Sequence, residues 1–184
     1  MTLVEQLEKE ASTLSEDNVE HKQFLDNMKF IDDSGQKIHR VVHINCGMGV
    51  YYELCKKNLP HIEYVGYAAS KKAADLCRSH WDCDSFFYRK YSTLDKVLWM
   101  DTDLLILSVK KDPVEDINQV LGLDFANVII PNIKITLENQ DSIFEAIIKQ
   151  GYEYHFQFLD IENELMLIRL VEFSFMKQDD DKSI

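Results

Sequence analysis

No apolar run in the chain approaches the ~18 residues that a membrane-spanning helix needs. No basic-then-apolar leader opens it. Neither a bilayer span nor export is therefore expected. Positive charge is scarce as well: 20 Lys and Arg stand against 32 Asp and Glu, a net charge of −12. A non-specific nucleic-acid binder must neutralise phosphates with Lys and Arg, and a membrane-surface protein needs a polybasic segment. The charge balance excludes both classes. Internal repeats and low-complexity linkers are missing too. What is present is ordinary for a globular domain: 184 residues, 46% apolar and 28% charged, enough to bury one core without staples. The expectation is an acidic, cytoplasmic protein.

Cys46, Cys55, Cys77 and Cys83 lack the secretory context that would make them disulfides. Cys77, His80 and Cys83 stand three apart, which admits a zinc reading. A fourth ligand and a C-x2-C knuckle are missing, so buried thiols beside a surface His are the simpler reading. No metal is expected.

Composition divides the chain into three zones. Residues 1–36 hold nine acids and three bases and read as two helices. Leu3, Leu7, Ala11 and Leu14 stripe the first; Phe24, Leu25, Met28 and Ile31 stripe the second, with Ser15 as its N-cap. Asp32-Asp33-Ser34-Gly35 is a turn. Residues 37–173 alternate short apolar strands with helices, and residues 174–184 form a polar, acidic tail. The predicted strands are Ile38–Asn45, Ile62–Tyr67, Ser85–Tyr88, Asp103–Val109 and Ala126–Pro131. Runs such as Leu104-Leu105-Ile106-Leu107 suit parallel strands covered on both faces. Between them, Ser70, Asp112 and Asn139 cap helices, Pro113 fits a first helical position, and Glu115 suits a capping box. Pro60 and Gly151 stop helices. Tyr152–Leu159 and Glu164–Phe173 form a terminal antiparallel hairpin. The class is α/β, a Rossmann-like, mostly parallel sheet ending in that hairpin, with helices on both faces.

In open α/β sheets ligands bind at the carboxyl ends of the strands. The first such end is Val42-His43-Ile44-Asn45-Cys46-Gly47-Met48-Gly49, two glycines where a strand turns into a helix. Any tight turn of this kind wants glycine, so the signal alone is weak.

The order of these features resembles the class I S-adenosylmethionine-dependent methyltransferases over about residues 37–171, closest to the FkbM-type branch. That branch has a loop of the form Asp-x-Gly-Ala-Asn-x-Gly, an acid ending the next strand, a later Lys-x-Asp-x-Glu-Gly, and a Gly-Tyr pair after its late helix, as in Gly151-Tyr152. The resemblance implies S-adenosylmethionine as cofactor, with His43, Asn45, Cys46, Gly47, Gly49, Tyr67 and Ser108 lining its site. It implies methyl transfer to a small molecule or sugar hydroxyl. The departures fall at those positions. His43 replaces an acid, Asn45 the first glycine, Tyr67 the ribose-binding acid, Ser108 an Asp and Lys110 a Glu. A phenol accepts one hydrogen bond but carries no charge. Each lost carboxylate forgoes ~1–3 kcal/mol against a cationic cofactor, so cofactor binding is expected to be weakened or lost.

Other candidates are weaker. His155 sits on the polar side of its strand with no evident partner. Asp101 and Asp103 read as surface turn residues at the amino end of the fourth strand. Of Tyr51 and Tyr52, one is expected to pack and the other is open to a ligand. Lys71-Lys72 and Lys110-Lys111 follow the second and fourth strands and are placed to rim one cleft. No catalytic base can be named. Three functions follow in order. The first is a small-molecule methyltransferase. The second is an inactive relative that docks a protein partner through residues 1–36 or forms a homo-oligomer. The last is a nucleotide binder of another doubly wound type, disfavoured by the lack of a P-loop Lys or a full G-x-G-x-x-G.

Overall fold

A computed structural model describes residues 25, 28, 37–90, 94, 103–109, 112–121, 127–129, 138–148, 154–160 and 165–170. Five strands, β1 (Arg40–Ile44), β2 (Glu63–Ala68), β3 (Phe86–Tyr88), β4 (Asp103–Leu107) and β5 (Asn127–Ile129), form one parallel sheet in the order β3-β2-β1-β4-β5. The helices α1 (Val50–Asn58), α2 (Lys71–Trp81), α3 (Pro113–Leu121) and α4 (Gln140–Ile148) alternate with the strands. A hairpin of β6 (Tyr154–Asp160) and β7 (Leu165–Leu170) is antiparallel, and β7 lies against β5. The α/β expectation holds, and the ends of the five sheet strands lie within two residues of those expected.

The near-continuous apolar strands are explained by two cores, one per sheet face. Val41, Leu104 and Ile106 pack with Tyr51 and Cys55 of α1 and Ala73, Ala74 and Cys77 of α2. Val42, Ile44, Leu105 and Leu107 pack with Ile117 and Val120 of α3 and Ile143 and Ala146 of α4. Strand alternation sends adjacent residues to opposite faces, so both must be apolar. Met28 is buried in the first core and Leu25 packs against it, both in helical backbone. At these two positions the stripe expected in residues 1–36 faces the domain itself. The rest of that segment, the tail and His155's surroundings lie outside the described side chains.

Ser70 and Asp112 cap their helices as the sequence suggests. Ser70 Oγ accepts from the Ala73 N–H at 3.1 Å, and Asp112 Oδ1 from the Val114 and Glu115 N–H groups at 2.9 and 3.3 Å. Glu115 differs from expectation: its carboxylate accepts from Gln119 Nε2 at 3.0 Å, an i, i+4 pair rather than a capping box.

Asp103 corrects the sequence reading. It is fully buried, not a surface turn residue. β1 and β4 pair with Arg40 opposite Asp103, and the guanidinium meets the carboxylate in a fork, Nε to Oδ1 at 2.9 Å and Nη2 to Oδ2. That hydrogen bond holds the Arg40 pKa above its ordinary value. The pair fixes β1–β4 register at the amino edge, opposite the edge where ligands bind.

Candidate functional site at the carboxyl edge of the sheet

The strand order reverses between β1 and β4, where a doubly wound sheet opens its crevice. Here that point is tied shut. Asn45, in left-handed backbone at φ 58°, donates from Nδ2 to the Ser108 carbonyl at 2.9 Å. The Ser108 N–H donates to the Ile44 carbonyl at 3.1 Å. Behind this bridge lies His43, 2% exposed. Its Nδ1 is 2.8 Å from the Tyr64 hydroxyl and its Nε2 is 2.8 Å from Ser108 Oγ. Burial pushes its pKa down to about 3, so the ring is neutral at pH 7. A neutral imidazole has one donor and one acceptor, and both hydroxyls can take either role. The ring nitrogens are thus engaged inside the protein.

The glycine loop is shaped from within. Asn45, Gly47 and Gly49 all have positive φ, which folds the five residues into a tight turn. A Cβ on Gly49 would overlap the Phe86 ring and stand 3.1 Å from Trp81 Nε1. One on Gly66 would come within 2.7 Å of the same ring. Phe86, fully buried, fills a notch that only two glycines leave open. Trp81 Nε1 donates to the Met48 carbonyl at 2.6 Å, and the Cys77 thiol to the Gly47 carbonyl at 3.2 Å. Cys46 is buried, its N–H on the Tyr67 carbonyl at 3.2 Å. Tyr51 and Tyr52 both pack, Tyr51 edge-on to His43 and Tyr52 against Tyr64, Trp81 and Phe86. Among the described residues no group of three or more His, Cys, Asp or Glu could hold a metal.

Open space lies over the ends of β1, β2 and β3. A cavity of about 220 Å³ is walled by Asn45, Tyr67, Ala69, Tyr88, Arg89 and Lys90, with Ile44, Ala68 and Leu94. Of the seven cofactor residues inferred from the sequence, Asn45 and Tyr67 line it. His43 and Ser108 bond each other, and Cys46, Gly47 and Gly49 build the supporting loop. Burial holds the Tyr67 phenol above its usual pKa, with Arg89 and Arg40 opposing, so it presents a neutral O–H. Sequence reasoning missed Tyr88, Arg89 and Lys90. The signal was available, because they follow the third strand at the same edge as the glycine loop.

No family model and no curated protein matches the sequence. The fold does match solved structures. CalS10, an amino pentose methyltransferase from Micromonospora echinaspora solved with S-adenosylmethionine bound, gives a TM-score of 0.67 at 11% identity, over 88% of this chain and 95% of that one. A TehB-like S-adenosylmethionine-dependent methyltransferase from Corynebacterium glutamicum gives 0.61 at 12% identity, over 92% and 95%. An O-methyltransferase family protein from Burkholderia thailandensis gives 0.55 at 12% identity, over 73% of this chain but 51% of that one. This chain thus spans about half of that last relative and nearly all of the first two. It has the Rossmann-like methyltransferase fold.

Proposed function

We propose that the protein is an S-adenosylmethionine-dependent methyltransferase-like protein whose cavity over β1–β3 takes the nucleoside half of the cofactor. The observation that carries this reading is the placement of that cavity. It lies at the carboxyl edge of the sheet, between the glycine loop and the end of β2, with Asn45 and Tyr67 in its wall. Its roughly 220 Å³ is below the ~300–1,000 Å³ of pockets that take a whole drug-sized ligand, which suits a part of the cofactor. The Tyr67 hydroxyl would hold the ribose hydroxyls, and the Ala68-Ala69 backbone would pass beside the base. The group bound there supplies an activated methyl on a sulfonium. This chain's residues supply position, the means by which methyl transfer is largely accelerated.

The fit is good for the neutral nucleoside and poor for the sulfonium. Among the described residues no carboxylate lines the cavity, while Arg89 and Lys90 do. Cations beside a cation repel, so S-adenosylhomocysteine, which lacks the sulfonium, binds at least as tightly as S-adenosylmethionine. The acceptor is a small molecule or sugar hydroxyl, and within the superfamily the loop order resembles the FkbM-type branch. Calorimetric titration with both ligands, on the protein and on Tyr67→Ala, tests the reading. Binding that Tyr67→Ala weakens at least tenfold supports it. If neither ligand binds at ~1 mM and the chain self-associates or captures a partner through residues 1–36, the fold serves as an inactive docking module.

A further inference from the structure

A second and larger cleft, about 490 Å³, lies between α2 and the exit of β3. It shares Tyr88, Arg89 and Lys90 with the cofactor cavity and adds Lys71, Arg78 and Phe87. Among the described residues four cations line it and no acid does, in a chain of net charge −12. Asp75 on α2 pairs with Arg78, whose Nη1 also donates to the Phe86 carbonyl. The guanidinium is thereby anchored in the wall. Lys71, Arg89 and Lys90 are exposed there. Phe87 and Tyr88 are the large hydrophobic side chains left exposed among the described residues, at 44% and 43%. Clustered cations suit phosphate groups, and exposed rings offer a face on which a base stacks.

We propose that this cleft binds a nucleoside phosphate, with its phosphates between Lys71 and Arg89 and its base against Phe87. The volume lies within the range of small-ligand pockets, and the acidic remainder of the chain repels a polyanion, so the ligand is a mononucleotide rather than a nucleic acid. The site goes beyond the cofactor reading; it shares Tyr88, Arg89 and Lys90 with the smaller cavity, and Lys71 and Phe87, which do not line that cavity, keep the two readings distinguishable.

The test is calorimetric titration of the full chain, in excess S-adenosylhomocysteine to fill the smaller cavity, with ADP, adenosine, pyrophosphate and a single-stranded oligonucleotide. ADP is expected to bind at least tenfold more tightly than adenosine or pyrophosphate, and more weakly as salt is raised. Lys71→Glu is expected to weaken ADP at least tenfold. Phe87→Ala is expected to weaken ADP but not pyrophosphate. Both variants are expected to keep the wild-type response to S-adenosylhomocysteine and the wild-type melting temperature. Equal binding of ADP and pyrophosphate, equal binding of ADP and adenosine, tighter binding of the oligonucleotide, or indifference to Lys71→Glu would each overturn the proposal.

Discussion

Lowering the pH from 7.5 to 5.0 should destabilise this protein by about 2 kcal/mol through His43 alone. In the folded chain burial holds the ring neutral with a pKa of about 3, while in the unfolded chain it titrates near 6.5. Between those values the unfolded chain binds a proton that the folded one does not. Stability therefore rises with pH in that window and falls as the pH is lowered, by about 1.4 kcal/mol per unit once the unfolded ring is fully protonated. Integration to pH 5.0 gives the ~2 kcal/mol, set almost wholly by the unfolded ring because the folded one is still neutral there. Urea unfolding at pH 7.5, 6.0 and 5.0 measures it, on the wild type and on His43→Gln, which keeps a donor and an acceptor but does not titrate. The wild type should lose about 2 kcal/mol more than His43→Gln over this range. Equal losses would mean that His43 is protonated in the folded state or solvated there, and the buried Tyr64–His43–Ser108 chain would be wrong.

Arg40→Ala strips the guanidinium from a fully buried Asp103 and should cost about 3–5 kcal/mol, read by urea unfolding. Gly49→Ala meets both a left-handed backbone and the Phe86 ring and should cost about 2–4 kcal/mol. Adding Phe86→Leu should recover part of that loss, a coupling that a double-mutant cycle reports. Ser70→Ala removes the N-cap of α2 and should cost about 1 kcal/mol in the same assay, with no change in the binding of S-adenosylhomocysteine.

Much of the fold was legible because its signals are local. Apolar runs such as Leu104-Leu105-Ile106-Leu107 announced buried parallel strands, and Ser70 and Asp112 marked helix starts through side-chain chemistry that acts within three residues. Asp103 was illegible for the opposite reason. Its burial depends on Arg40, 63 positions away, and nothing near it in sequence signals a partner. The site was half legible. Topology pointed to the carboxyl edge of the sheet, where Asn45 and Tyr67 line a cavity. The glycines were ambiguous because a loop that approaches a ligand and one that admits a neighbouring Phe ring demand the same residue. His43 illustrates a further limit: a polar residue in a strand reads as a site residue until its hydrogen-bond partners on β2 and after β4 are known. Lys71 lines the cleft between α2 and β3 rather than the cavity over β1–β3, and Lys110 and Lys111, expected to share a cleft with it, lie outside the described residues.

Whether the cavity over β1–β3 receives an adenosyl cofactor is decided by thermal unfolding with ~1 mM S-adenosylhomocysteine or S-adenosylmethionine. A ligand at about 100 times its dissociation constant adds ~2.7 kcal/mol, which is several degrees in a domain of this size. Such a rise is expected with S-adenosylhomocysteine, an equal or smaller one with S-adenosylmethionine, and its loss in Tyr67→Ala. No rise with either ligand would contradict the cofactor reading.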